Sequence, residues 1–207
     1  MHVVTRPGRL PRLETRRLVL RDIAPADVSP AYVAWLNDPD TTKYLEIRFV
    51  PQTPERVRDY VAARLADIES AKHFGVYDEG GTRLAGTVTL PRIDRRHGFA
   101  ELSFVIGHPG ARGRGYATEA VHAVCWYMFA EEGLAKIYGG FYDGHEGSAR
   151  VFRNNGFAEE GRLRGKLVAY DGRRVDHVLM GILRDEFRPD PALLGDLPPT
   201  FSTRNEE

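Results

Sequence analysis

Chemistry-bearing residues gather at three places in the chain, and the most distinctive is the turn Gly110-Ala111-Arg112-Gly113-Arg114-Gly115-Tyr116-Ala117-Thr118. Gly113 and Gly115 remove side chains where main chain can approach a ligand closely. The apolar-periodic run that follows opens a helix whose first N–H groups have no partner of their own. Amides grouped in this way suit phosphate oxygens. Two common nucleotide signatures fail here. No Gly-x-x-x-x-Gly-Lys-Ser/Thr run occurs, and a dinucleotide fingerprint counted from Gly113 and Gly115 requires Gly or Ala where Thr118 stands. What the turn does carry is Arg-x-x-Gly-x-Ala, as Arg112, Gly115 and Ala117.

The second place is Phe99 to Ile106. Ala100, Leu102, Phe104 and Ile106 alternate with Glu101, Ser103 and Val105, so a strand sets Glu101 on one face of a sheet otherwise made of apolar residues. A carboxylate there is a candidate base, or else a solvated acid or ion-pair partner. The third place is His145-Glu146-Gly147-Ser148. A nucleophile with its base is set aside, because Glu146-Gly147-Ser148-Ala149-Arg150 lacks the Gly-x-Ser-x-Gly elbow. A helix-capping serine beside a plain loop histidine stays open. The seven histidines show no paired spacing, so no metal site is expected. Cys125 is the single cysteine and falls inside an apolar helical run, where it reads as a small buried hydrophobe with a disfavoured thiolate.

These residues need elements to position them. Leu18 and Leu20 alternate with Arg17, Val19 and Arg21 in a first strand, and Pro25 opens a helical region ending near Asn37-Asp38-Pro39. A connector rich in aromatics, with Trp35, Tyr44 and Phe49, leads to a helix from Thr53 to Ser70. Period-two runs at 73–77, 84–90 and 99–106, separated by short turns, predict an antiparallel meander. The glycine turn feeds a helix over 117–129. The strand at 137–142 is reached through that helix, which predicts a parallel neighbour. A short helix from Gly147 closes at Asn154-Asn155-Gly156, and 163–170 with 174–183 make a hairpin about Asp171-Gly172. Residues 1–12 read as a flexible arm, 13–188 as one domain and 189–207 as a proline-rich, disordered tail.

Composition narrows the class. At 207 residues and 42% apolar the chain can build one core, and 29 basic against 29 acidic residues give no global case for nucleic acid or an anionic membrane. No run has the length of a signal peptide's apolar core or of a membrane span, so a cytoplasmic protein is expected.

The motif at Arg112, Gly115 and Ala117, with the order βααβββ, turn, αβαββ, resembles the GCN5-related N-acetyltransferases (GNAT) over residues 13–188. Glu14 to Arg21, Asn154-Asn155-Gly156-Phe157, and Glu160-Gly161 with Asp176 and Met180 are similar to the ribosomal-protein N-terminal acetyltransferase branch of that family. The resemblance implies an α/β single domain on a mixed sheet. It also implies direct transfer of an acetyl group from acetyl-CoA to a primary amine in a ternary complex, without metal. By that resemblance the amides of Gly113, Gly115, Ala117 and Thr118 cradle the pyrophosphate, and Arg112 and Arg114 add cationic contacts. The edges of Phe104, Val105 and Ile106 pair with the pantetheine amides.

Glu101 is placed by the same resemblance near the acceptor amine, as base directly or through water. Ser148 is implied as acid to the leaving thiolate, since Phe152 stands where one branch has a tyrosine. His145 replaces the asparagine of the pattern Asn-x-x-Ser; His145 and Phe152 are both expected beside the cofactor arm. The acceptor is a protein N-terminal α-amine or a small amine such as an amino sugar, lined by Trp35 to Phe49 and by the hairpin from Lys166 to Arg174. A homodimer is compatible with the fold, and a non-catalytic acyl-CoA sensor or scaffold is the alternative from another class. How strong a base is needed depends on the acceptor. A lysine-like amine of pKa about 10.4 is only about 0.04% neutral at pH 7, a deficit of about 4.6 kcal/mol. An α-amine near 7.7 is roughly 17% neutral and about 1 kcal/mol short.

Overall fold

The computed structural model describes residues 9–195 and 197. Among them eight strands form a single sheet: β1 (Leu13–Glu14), β2 (Val19–Asp22), β3 (Lys72–Asp78), β4 (Arg83–Asp94), β5 (Phe99–Ile106), β6 (Lys136–Tyr142), β7 (Ala158–Val168) and β8 (Arg174–Leu183). Their order is β1-β2-β3-β4-β5-β6-β8-β7. Every neighbouring pair is antiparallel except β5 and β6, which run parallel on either side of a crossover helix. The α/β reading and the single parallel pair are as the periodicity predicts.

That crossover helix is α4 (Tyr116–Ala130). From Glu119 to Ala130 every residue is buried. A helix whose residues there are apolar or aromatic apart from Glu119 and His122 has to be enclosed. The helix packs on β4 and β5, and Val121, Val124 and Met128 belong to the cluster that also takes Leu20, Phe74, Val88 and Leu102. On the opposite sheet face α1 (Pro30–Asn37) and α3 (Pro54–Ala66) close a smaller cluster of Ile23, Val28, Tyr32, Trp35, Val57 and Val61, against which Val105 packs. Strand β5 thus has Leu102 and Phe104 in one core and Val105 at the other, as its alternation predicts.

Several boundaries differ from the sequence-based expectation. The region from Pro25 is a separate 3-10 turn (Pro25–Asp27) followed by α1, because the Ser29 hydroxyl takes the Tyr32 amide and Pro30 sits at the first helical position. Helix α3 stops at Ala66, where the Asp67 carboxylate takes the Ser70 amide. A four-residue helix, α2 (Pro39–Thr42), occupies the connector. The domain is also wider than 13–188. Leu10 is buried and Arg9 pairs with Asp22 at 2.8 Å. At the far end α6 (Pro191–Leu194) packs back on α4, with Leu194 and Leu197 buried and the Asp190 amide donating to His122 Nε2 at 2.9 Å. The reading of 189 onward as a tail is corrected there, since these leucines cover the apolar flank of α4. The remainder of the arm, 1–8, and of the tail, 196 and 198–207, lies outside the described residues.

Candidate active site

The site grows from one interruption in the sheet. Strands β5 and β6 pair at Phe99–Lys136, Ala100–Ile137 and Glu101–Tyr138, and there the ladder stops. Since β5 continues to Ile106 and β6 to Tyr142, the two strands part, and the edge of Ser103 to Ile106 that faces β6 has no ladder partner. Gly139 stands where they divide. A Cβ on it would lie 2.5 Å from the Leu102 carbonyl oxygen and 2.8 Å from the Phe152 ring, so only glycine fits.

At the open end of β5 lies the glycine turn. Gly113 (φ +73°) and Gly115 (φ +77°) adopt left-handed backbone, and Gly115 caps α4. The amides of residues 113 to 118 meet no acceptor among the described residues, the first helical bond being Glu119 N to Gly115 O at 3.1 Å. Behind the turn Glu119 is buried. It accepts from the Thr15 hydroxyl (2.7 Å), the Arg17 amide (2.9 Å) and Arg17 Nε (2.6 Å), while Arg17 also donates to the Arg114 carbonyl at 2.8 Å. The stretch Glu14 to Arg21 therefore braces the turn from the rear. Exposed Arg114 and the free amides fit a diphosphate, and the unpaired β5 edge fits an amide-bearing arm, as acetyl-CoA requires.

Arg112 is placed differently from the expectation. Its guanidinium donates to the carbonyls of Gly107 (3.1 Å) and Ile106 (3.4 Å), to the Asp38 carboxylate (3.4 Å) and to the Thr41 hydroxyl. It clips the turn to α2 rather than standing free as a phosphate contact. Phe152 is corrected likewise. It is buried at 5.4 Å from the Phe104 ring and 5.0 Å from Phe157, so it shapes the floor beneath β5 and offers no surface to a ligand.

Ser148 is the third residue of α5 (Glu146–Asn154) and is buried; its hydroxyl lies 2.8 Å from His145 Nδ1 and makes no capping bond. The helix-capping alternative is not what this hydroxyl does. The His145 ring stacks on Tyr44 at 4.1 Å, and burial together with the nearby Lys43 ammonium pushes its pKa down to about 4. The imidazole is neutral at physiological pH.

Glu101 is half-buried and accepts from the Tyr138 hydroxyl at 3.4 Å. On the same face His177 of β8 lies across Gly140, where a Cβ would meet its Nε2 at 2.2 Å, and Lys166 Nζ stands 3.2 Å from its Nδ1. Burial and Lys166 lower the His177 pKa, opposed by Glu101 and Glu46. Farther along β6 the Tyr142 hydroxyl donates to Glu46 and accepts from Arg48 (3.0 Å), which also donates to the Val168 carbonyl. Sequence reasoning missed Tyr138 and His177, and it included Glu46 and Arg48 only as part of the Trp35 to Phe49 segment, without singling them out. The repeat Tyr138-Gly139-Gly140-Phe141-Tyr142, two tyrosines on one face with glycine between them, is the signal that would have found the first. A cavity of about 570 Å³ lies beside this face, lined by Leu36, Lys43, Ile47, Arg48, Val50 and Tyr170; it does not reach Glu101 or Ser148. Cys125 is fully buried, its thiol pKa raised by desolvation, as its position in α4 predicts. No helix among the described residues is long and apolar enough to cross a membrane.

Residues 17–158 match the family model described as "Acetyltransferase (GNAT) domain". The uncharacterized N-acetyltransferase YoaA of Bacillus subtilis is 30% identical over 156 residues, 74% of this chain and 86% of the relative. The uncharacterized N-acetyltransferase p20 of Bacillus licheniformis is 28% identical over 176 residues, 84% and 97% respectively. Among solved structures, a GNAT-family acetyltransferase from Bacillus anthracis superposes with a TM-score of 0.73 at 25% identity, covering 84% of this chain and 99% of that one. The spermidine N-acetyltransferase of Vibrio cholerae, solved with CoA and spermine, gives 0.72 at 24% identity over 82% and 97%, a likeness of fold. With these matches laid over a split parallel pair and a bare-amide turn, the chain belongs to the GNAT family and is an acetyl-CoA-dependent N-acetyltransferase.

Proposed function

We propose that the chain moves the acetyl group directly to a primary amine held at Glu101, with donor and acceptor bound together. The observation that carries this is the parting of β5 from β6 immediately after Glu101, which leaves the acid, the free β5 edge and the acceptor-free amides of 113–118 in sequence along one strand and the turn that follows it. Acetyl-CoA supplies an activated thioester. The α4 N-terminus and its amides hold the diphosphate, and the edges of Phe104, Val105 and Ile106 hold the arm. Glu101 takes a proton from the ammonium, directly or through a water. Ser148 gives one to the departing sulfur, where the acceptor-free amides of Gly147 and Ser148 at the start of α5 favour negative charge.

For the acceptor, the likeness to the ribosomal-protein branch supports a protein α-amine. Lys43, Arg48 and Lys166 stand on the acceptor face among the carboxylates of Glu46 and Glu101, so the face carries charge of both signs rather than the acidic surface that would favour a polycation such as a polyamine. The cavity beside that face supports a small amine, for instance an amino sugar, as the second reading. Thiol release from acetyl-CoA across a panel of peptides, amino sugars and polyamines tests the assignment. Turnover with α-amino peptides or amino sugars is expected. Release with polyamines alone overturns the acceptor class. Binding of acetyl-CoA without release on any amine would instead favour a sensor or scaffold.

A further inference from the structure

We infer that His145 is a positioning residue: its Nδ1–H donates to Ser148 Oγ and so turns the serine's own hydrogen toward the departing sulfur. The inference rests on, and deepens, the reading of Ser148 as the acid. A hydroxyl and a neutral imidazole 2.8 Å apart share one hydrogen bond, and either can be its donor. If the ring hydrogen sits on Nε2, Ser148 must donate to Nδ1, and its only hydrogen is then directed away from the reaction. If it sits on Nδ1, the hydroxyl accepts and keeps its hydrogen free.

Of three features of the site, the second selects the Nδ1–H arrangement and the other two set the conditions for it. First, burial and the Lys43 ammonium keep the ring neutral, so it has a single hydrogen to place. Second, Nε2 faces Gly147, where a Cβ would lie 3.5 Å away, and meets no acceptor among the described residues. A hydrogen there would lack a protein partner, whereas one on Nδ1 has Ser148; an unmet donor costs more than an unmet acceptor. Third, the stack on Tyr44, whose ring also lies 6.0 Å from Tyr142 and 6.5 Å from Tyr170, fixes the imidazole plane. The orientation of Ser148 is thereby tied to the connector and hairpin that flank the acceptor.

The protons balance without His145 changing charge. The bond from carbonyl carbon to sulfur breaks and that to the amine nitrogen forms. The ammonium gives up two protons, one through Glu101 to solvent; the other equals the one that Ser148 passes to sulfur once the serine is reprotonated from solvent. An asparagine at 145 keeps a donor the same number of bonds from Cα as Nδ1, while phenylalanine keeps the stack and removes the donor.

The test uses the full-length protein. Nitrogen-15 NMR of the free wild type should report His145 as the Nδ1–H tautomer; the Nε2–H tautomer overturns the inference whatever the variants do. For His145→Phe we expect kcat to fall by about 10-fold or more, with KM for acetyl-CoA within about 3-fold, and His145→Asn to recover most of the loss. His145→Phe added to Ser148→Ala should cost nothing further. A raised KM at unchanged kcat, or no recovery with asparagine, also overturns it, leaving His145 as a contact to the arm. If Ser148→Ala alone is harmless, the acid reading itself fails.

Discussion

The role proposed for Glu101 requires a carboxylate that is both accessible and undistracted by neighbours. It makes no ion pair in the described structure and only a 3.4 Å bond from Tyr138. Glu101→Gln keeps the shape and removes the base, so kcat/KM should drop by about 10² to 10⁴ with acetyl-CoA affinity by calorimetry unchanged. A loss of cofactor affinity in that variant would move Glu101 to the binding machinery instead. At this scale the sequence is legible wherever the chemistry is local. The glycine turn and the face of Glu101 each follow from spacing inside ten residues, whereas Ser148 and His145 stand out only through the family resemblance. Tyr138 and Glu101 are 37 positions apart, and Glu46 reaches Tyr142 over 96, distances at which no local pattern survives. Arg112 is instructive for the opposite reason. Its motif is plain, yet Asp38 and Thr41, 74 and 71 residues upstream, decide where its guanidinium goes.

Among the elements, the first turn of α4 depends on a strand-to-strand loop at the other end of the chain. Glu119 is 1% exposed and its two oxygens satisfy Thr15 and Arg17. Glu119→Ala strands the Thr15 hydroxyl and the Arg17 amide, at about 1–3 kcal/mol for each buried donor left unmet, while the Arg17 guanidinium, 41% exposed, turns to water. We expect a markedly lower melting temperature and weaker acetyl-CoA binding. A variant that melts like wild type would show that the brace contributes nothing. Gly139→Ala acts on the fork itself: its Cβ, 2.5 Å from the Leu102 carbonyl, must push β5 and β6 into a different spacing. Calorimetry should record reduced cofactor affinity there, and unaltered affinity would mean the spacing of the strands is not critical. Element order was readable because period-two and helical patterns run for five residues or more. Strand β1, two residues long, and α6, four, carry no period to read. Leu194 becomes legible as core only once α4 is seen to have an uncovered flank.

For the whole molecule, acid should destabilise the fold before carboxylate titration is complete. His73 is buried between Thr89 (2.8 Å) and Tyr32 (3.3 Å), and desolvation lowers its pKa to about 4. The unfolded chain takes up this proton near pH 6.5, so the stability is fully present above that value and fades as pH falls toward 4. A depression of this size corresponds to roughly 3 kcal/mol. His145 titrates in the same sense, and Glu132, whose pKa is lowered by Tyr127, Lys72 and Arg95 against the opposing effect of burial, adds a loss at still lower pH. Melting temperature should therefore decline steadily from pH 6.5 to 4.5, and a flat profile across that interval would contradict the neutral burial of His73. The balanced net charge is readable from composition, but which histidines are buried is not.

The central claim is that the main-chain amides after Arg112 grip the diphosphate of the acyl donor. Hydrogen exchange at the backbone of residues 113–118, followed with and without saturating CoA, addresses those atoms themselves. The account predicts slowed exchange concentrated in that turn and along the β5 edge from Phe104 to Ile106. Exchange there that stays as fast with CoA as without it would contradict the account.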